Sequence, residues 1–318
     1  MRTLARSCGH IGDNDAVTSA TRQPETPASS QLSTSFEPGG TPGVPPRLIA
    51  TDLDGTLLRD DKSVSPRTIA ALAAAEEAGI EVFFVTGRPA RWMDVVSDHV
   101  HGHGLAICGN GAAVVDLHGG PGTHRFVKVR ELARENALDA VRLVREAAPG
   151  TMFAVEQTYG FHQEPAYPKL HMEVPDVLAP AEELLAPGGV GSEQPILKIL
   201  AHHPTLAPDA FLAVARLAAG AHVSITRSSP SALLEISGPD VSKASTLALC
   251  CAERGISQEE VVAFGDMPND VEMLTWAGRS YAMGNAHPAA IAAASGRTVA
   301  NDEDGVAVVI ERLLGERP

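Results

Sequence analysis

Four carboxylates stand in two short groups, each directly after an apolar run. Asp52 and Asp54 follow Leu48-Ile49-Ala50, and Asp266 and Asp270 follow Val261-Val262-Ala263-Phe264. Acidic side chains at the end of a buried strand are unfavourable unless a cation or a proton holds them. Mg²⁺ suits such a place, because it is a hard ion that prefers carboxylate oxygen and keeps several waters. Strand side chains alternate faces, so the i, i+2 spacing of Asp52 and Asp54 would aim both the same way. Asn269 adds another oxygen donor to the second group. Plainer readings stand beside this one. The first group would also serve as an acidic turn, and Asn269 or Asp270 would also open the helix that runs through Leu274. A calcium loop is disfavoured, because Leu57 and Leu58 occupy the region where its glutamate is needed.

Two further residues could meet a phosphate. Thr86 ends the apolar run Ile80 to Val85 and precedes Gly87-Arg88-Pro89. Its hydroxyl could donate to a phosphoryl oxygen, or cap a helix starting near Pro89. Lys243 lies where a loop meets a helix running from Ala244 to Glu253. Helix N-termini favour anions, and a lysine there adds a full charge, although taken alone the ordinary solvated lysine is the favoured reading.

These residues need elements that bring them together. Ser65 suits an N-cap, Pro66 the first helical position and Gly79 the position past the end, giving a helix between two buried strands. Strand, helix, strand at this spacing is the parallel unit of an α/β, doubly wound sheet, in which ligands collect at the carboxyl ends of the strands. A third strand, Leu105 to Cys108, leads into the turn Gly109-Asn110-Gly111, and Gly119-Gly120-Pro121-Gly122 breaks the pattern. The stretch 120–229 alternates differently, as a compact α+β module inserted into the first domain, with Leu233 to Ile236 expected to return to the core. The core is thus expected at 47–119 and 230–318. Residues 1–46 are rich in Pro, Gly, Ser and Thr without periodicity, which predicts a disordered extension.

Composition excludes some classes. The 318-residue chain carries a net charge of −14, which argues against a nucleic-acid or anionic-membrane surface. An anionic substrate stays compatible, since a bound divalent cation reverses the local field. No apolar stretch approaches the ~18 residues of a membrane span. The four cysteines lack metal-type spacing and read as free thiols of a reducing, cytoplasmic compartment. His99, His101 and His103, interleaved with glycines, read as a solvated loop.

Taken together, D-x-D-G-T at Asp52 to Thr56, Thr86-Gly87-Arg88, Lys243 and G-D-x-x-N-D at Gly265 to Asp270 resemble the haloacid dehalogenase superfamily of phosphatases. The stretches from Ser228 to Lys243 and Met283-Gly284-Asn285-Ala286 look like its Cof-like branch, whose C2-type cap is inserted after the third strand. The resemblance covers about residues 47–316. It implies Asp52 as nucleophile and Asp54 as general acid and base. It implies Mg²⁺ held by Asp52, the Asp54 backbone carbonyl and Asp266, with Asp270 in support. Thr86 with Gly87, and Lys243, would bind the phosphoryl group, and Asn269 and Asn110 would orient the site. The inserted module would act as a lid, with Arg125, Lys128, Lys169, His171 and Arg227 as possible substrate contacts. One departure is Ala244, where the family often has glycine. The implied activity is hydrolysis of a small phosphorylated metabolite, a sugar phosphate or a phosphorylated cofactor, by way of an aspartyl-phosphate. A phosphomutase, or a binding protein that has kept the fold, are the alternatives. If Asp54 donates the proton, its pKa should lie above that of Asp52.

Overall fold

The apolar runs read from the sequence become the central strands of a layered α/β structure. The computed structural model describes residues 44–97, 104–120, 122–169, 174–189 and 191–316. The expectations for the chain before residue 44, for His99, His101 and His103, and for His171 lie outside the described residues. In chain order the first strands are β1 (Leu48–Thr51), β2 (Glu81–Val85), β3 (Leu105–Cys108), β4 (Ala113–Asp116) and β5 (Arg125–Val129). Next come β6 (Met152–Gln157), β7 (Gly160–Gln163), β8 (Val177–Leu178), β9 (Ile196–His202), β10 (Ser224–Thr226) and β11 (Leu233–Ser237). The last are β12 (Val261–Gly265), β13 (Arg279–Ala282) and β14 (Gly296–Arg297).

Among the described residues these strands form two sheets. The core sheet runs β14-β13-β12-β1-β2-β3-β4-β5. Its pairs are parallel from β14 through β3 and antiparallel at β3–β4 and β4–β5. Alternation sorts its side chains into two apolar layers. Ile49, Phe84, Val262 and Phe264 pack with Leu72 and Ile310 on one side, while Leu48, Ala50, Phe83 and Ala263 pack with Leu247 and Met273 on the other. Helices cover both layers, which is why these strands read as continuous apolar runs rather than alternating ones. The helix Pro66–Glu77 starts as expected, with Ser65 accepting from the Thr68 amide. Among the described residues, no helix is long and apolar enough to cross a membrane.

The second sheet, β10-β11-β9-β6-β7-β8, is antiparallel except at its β7–β8 edge. The helices Arg134–Ala147 and Pro208–Ala219 cover one face, packing Val141, Val144 and Phe211 on Phe153, Ile199 and Ile236. This second sheet with its two helices is an α+β unit, called the cap. Two strands lie on the other sheet from where the sequence boundaries would leave them. Residues Leu233 to Ile236, expected to return to the core, pair with β9 and β10 in the cap sheet. Residues Arg125 to Val129 pair with β4 at the edge of the core sheet. The expected boundaries at 120 and 229 therefore cut across paired strands. Apolar periodicity fixes a strand but not its partner, because pairing is a long-range choice. The two crossings between sheets touch, since a Cβ at Gly238 would lie 2.9 Å from the Glu131 carbonyl oxygen.

Candidate active site

The parallel register sets the first two carboxylates side by side. Thr51 of β1 is level with Phe264 of β12, and the Asp52 amide donates to the Phe264 carbonyl at 3.1 Å. Asp52 and Asp266 thus leave the carboxyl ends of adjacent strands. Gly55 then turns the chain with φ +79°, and a Cβ there would lie 2.4 Å from Asp266 Oδ2. Only glycine combines that backbone angle with that close approach. The next hydroxyl, Thr56, donates to Asp266 Oδ1 at 3.0 Å.

Lys243 opens the helix Lys243–Glu253, one residue earlier than expected, behind Ser242 and Ser245 in a capping box. Its side chain is wholly buried, and Nζ donates to Asp52 Oδ1 and to Asp270 Oδ1, each at 2.6 Å. The other oxygen of Asp270 accepts from the amides of Asp266 at 3.0 Å and Met267 at 2.9 Å. Asp52, Asp266 and Asp270 each offer an oxygen within 4.8 Å of the others.

One ammonium does not neutralise three buried carboxylates. Burial pushes the Asp52 carboxyl up to about 7, Lys243 opposing and Asp270 adding to the rise. Burial, then the charges of Asp52 and Asp270, push Asp266 up to about 8. Lys243 moves upward as well: burial works against its charge, but Asp270 and Asp52 outweigh burial. An excess of negative charge on hard oxygen donors fits a divalent cation, so this cluster could hold a metal ion.

Asp54 has a different setting. Its carboxylate lies outside the three-carboxylate group and meets Arg88, Nε on Oδ2 at 2.5 Å and Nη2 on Oδ1 at 2.7 Å, with Lys62 Nζ 3.0 Å from Oδ1. Burial would raise its pKa, but the Arg88 hydrogen bonds and charge, then Lys62, hold it down at about 2. The expected order of the two pKa values is therefore reversed. Asp54 is half-open beside two cations, whereas Asp52 is buried among other carboxylates.

Thr86 follows β2 and is buried, and its Oγ1 accepts from the Arg88 amide at 3.0 Å. Asn110 sits beside it in a left-handed conformation, its amide donating to the Thr86 carbonyl at 3.0 Å. Asn110 Oδ1 accepts from Asn269 Nδ2 at 2.9 Å, which links the third strand end to the second acidic group. Gly87 lies between these residues and the cap. Asp52, Thr86, Asn110, Lys243, Asp266, Asn269 and Asp270 thus converge at one end of the core sheet.

The other anticipated contacts are less direct. Arg227 is held by Asp209 at 2.7 Å and the Ser229 carbonyl at 2.7 Å, and reaches His287 Nε2 at 3.2 Å. The His287 amide in turn donates to the Asp266 carbonyl at 2.7 Å, which places Arg227 at the rim. Arg125 pairs with Asp116 at 3.0 Å, Lys128 pairs with Glu253, and Lys169 is exposed. Several site residues gave little local signal. Arg88 could have been suspected from its place beside Thr86 and Gly87. Thr56 closes the D-x-D-G-T motif, whereas Lys62 comes from a loop and Lys198 and Glu235 from the second sheet, and these three carry no comparable mark. A cleft of about 320 Å³ also opens beside Arg91, bounded by Glu156, Gln157, Tyr159, Phe161 and Leu197. Arg91 pairs with Glu156 across its wall.

Known proteins are similar to this chain in sequence and fold. Residues 49–310 match the family model of the haloacid dehalogenase-like hydrolases. The chain is 29% identical over 285 residues to YxeH of Bacillus subtilis, whose phosphatase name is provisional, covering 84% of this chain and 98% of that one. It is 28% identical over 273 residues to YitU of the same organism, a 5-amino-6-(5-phospho-D-ribitylamino)uracil phosphatase, covering 82% and 95%. The fold superposes with a TM-score of 0.69 on the phosphatase BT1666 of Bacteroides thetaiotaomicron, at 24% identity over 85% and 95% of the two chains. For the sugar phosphatase BT4131, of subclass IIB, the score is 0.68 at 22% identity over 84% and 98%.

Proposed function

The chain belongs to the haloacid dehalogenase-like hydrolases, in their Cof-like phosphatase branch, and from that premise we propose that it hydrolyses a small phosphorylated metabolite with the help of Mg²⁺, through a phosphorylated Asp52. A sugar phosphate is the leading substrate class, with a phosphorylated cofactor or its precursor next. The sugar phosphatase among the similar structures and the ribitylamino-uracil phosphatase among the relatives support that range. The observation that carries the reading is the buried Lys243, which spans Asp52 and Asp270 at 2.6 Å each. Binding alone requires no carboxylate held ready beside a cation.

Asp52, Asp266 and Asp270 would hold the ion, with the Asp54 carbonyl as a further oxygen donor. When bound, Mg²⁺ supplies positive charge that offsets repulsion between the carboxylates and a phosphate dianion. That repulsion is worth ~4 kcal/mol per unit-charge pair at about 4 Å and an effective dielectric of ~20. Lys243 holds one Asp52 oxygen, which leaves the other to attack phosphorus. The Asp52 oxygen–phosphorus bond forms as the bond to the leaving alcohol oxygen breaks, and Asp54 delivers a proton to that oxygen. Asp54 then takes a proton from water, which attacks phosphorus, releases inorganic phosphate and restores Asp52. Two displacements thereby replace one difficult step. Asp54 must leave Arg88 and Lys62 to take up its first proton. An arriving phosphate competes for both cations and loosens that grip. The Thr86 hydroxyl, with Gly87 beside it, and Lys243 would bind the phosphoryl oxygens. Asn110 and Asn269 would fix the strand ends that carry them, and Arg227 would meet the leaving group from the cap.

The test is phosphate release from a panel of metabolite phosphates, with Mg²⁺ and with chelator, by wild type and by Asp52→Asn. Metal-dependent release that vanishes in the variant is expected. No release from any member, by folded protein with Mg²⁺ bound, would overturn the reading.

A further inference from the structure

The open face of the cap sheet carries a buried ion pair that lies directly on the phosphate-binding strand end. Lys198 of β9 and Glu235 of β11 form this pair, and both are almost fully buried. Glu235 also accepts from the Ser228 hydroxyl. Burial works against its ionised form, but the Lys198 charge and these hydrogen bonds outweigh burial and hold its pKa below the ordinary range. The pair faces away from the cap's own helices, which pack on the neighbouring positions Ile199 and Ile236. It faces the core instead. Lys198 Nζ donates to the Gly87 carbonyl at 2.6 Å. A Cβ at Gly87 would lie 3.2 Å from Glu235 Oε1 and 3.3 Å from Asn110 Oδ1, so these groups close on one peptide.

That peptide is held at both ends. Its carbonyl, on Gly87, accepts from Lys198 in the cap, and its N–H, on Arg88, donates to Thr86 Oγ1 at 3.0 Å. A hydroxyl that accepts this N–H keeps its own proton for another acceptor. Fixing the same peptide plane also fixes the root of the Arg88 side chain, whose fork holds Asp54. The geometry points to Lys198, aimed by Glu235, as a positioning residue of the cap that sets the Thr86 hydroxyl and the Arg88 fork for the phosphoryl group. Seating the cap on Gly87 then completes the phosphate site, whatever the leaving group. The inference rests on the phosphatase reading and assigns Lys198 no contact with the reacting atoms.

The test compares p-nitrophenyl phosphate, whose flat aromatic leaving group offers the cap none of a metabolite's hydroxyls and departs with little acid assistance, with the best metabolite phosphate. It also measures binding of inorganic phosphate by calorimetry, in Mg²⁺ buffer. Wild type is assayed first, and failure to turn over any phosphate ester counts against the phosphatase reading before the cap is tested. Lys198→Met leaves Glu235 buried without its partner, so Lys198→Met/Glu235→Leu is made alongside it to remove both charges at similar volume. In the folded double variant, kcat/KM is expected to fall at least ten-fold on both substrates, with phosphate binding about ten-fold weaker. Unchanged phosphate binding and unchanged turnover of p-nitrophenyl phosphate would overturn the proposal. A loss confined to the metabolite would overturn it too, by making Lys198 a leaving-group contact. Failure of both variants to fold would mark the pair as structural and have the same force.

Discussion

Arg88 grips Asp54 with two nitrogens at 2.5 and 2.7 Å, although Asp54 stands only two residues beyond Asp52, whose own partner is Lys243. Neighbouring carboxylates are thereby given opposite electrostatic settings. Arg88→Gln should release this restraint and let the Asp54 pKa climb from about 2 toward the ordinary ~3.9 of an aspartate. Lys62→Ala should move it less, because Lys62 contributes after Arg88. Carbon-detected NMR titration of the Asp54 carboxyl measures both, and an unmoved midpoint in Arg88→Gln would show that the fork is not what holds Asp54 ionised.

The pH dependence of stability should report the crowded carboxylates. Asp52 and Asp266 are raised to about 7 and 8, above their ordinary values, so above pH ~4 the folded state binds more protons than the unfolded chain. Stability of the metal-free protein therefore falls as pH rises from about 4 to 8. Mg²⁺ should reverse the trend. At a hundred times its Kd a ligand adds ~2.7 kcal/mol, or roughly 4 °C in Tm for a chain of this size. The shift should be larger at pH 8 than at pH 5, where protons compete for the same oxygens. Thermal melts across pH, with and without Mg²⁺, would refute this by showing equal shifts at both.

The sequence made the core side of this site legible, and for a physical reason. Asp52, Thr86 and Asp266 each follow an apolar run, and in a parallel sheet the ends of such runs meet at one edge. Lys243 stands out only through the family resemblance, since taken alone it reads as a solvated lysine; its burial between Asp52 and Asp270 depends on distant segments. Long-range pairing was not legible. Leu233 to Ser237 is apolar enough for a core strand, and nothing within it says that its neighbours are β9 and β10. Glu235 consequently gave no hint that it would meet Lys198, 37 positions earlier. The pKa order of Asp52 and Asp54 failed in the same way, because it depends on Arg88 and Lys62 arriving from other segments.

Removing the Lys243 ammonium should separate stability from chemistry. Lys243→Met leaves Asp52 and Asp270 without their shared cation, and breaking a buried ion pair from one side costs about 3–5 kcal/mol. Tm should fall by roughly 5–7 °C, on the usual scaling for a chain of this size. Adding Asp270→Asn removes one stranded charge and should recover part of the loss. Turnover should stay at least ~100-fold down in both variants, as for loss of a group that stabilises transition-state charge. Melting curves paired with phosphate-release rates check this, and recovery of activity along with stability would show that Lys243 serves only the fold.

Thr86→Val makes the sharpest test of the phosphate site, because it changes shape least. Valine keeps the branched Cβ of the buried threonine, so the end of β2 and its packing should persist. What disappears is the hydroxyl, with its bond from the Arg88 amide and the proton proposed to meet a phosphoryl oxygen. A hydrogen bond to a charged group contributes about 1.5–3 kcal/mol. If it strengthens as charge shifts in the transition state, kcat/KM should drop about 10- to 100-fold. If it is equal in bound substrate and transition state, KM should rise and kcat should hold. Thr86→Ser should retain most activity, since the donor and the acceptor both remain. Steady-state kinetics on one substrate decides among these outcomes. Wild-type values in folded Thr86→Val would leave the hydroxyl with a capping role alone, bonded to the Arg88 amide and to nothing that reacts.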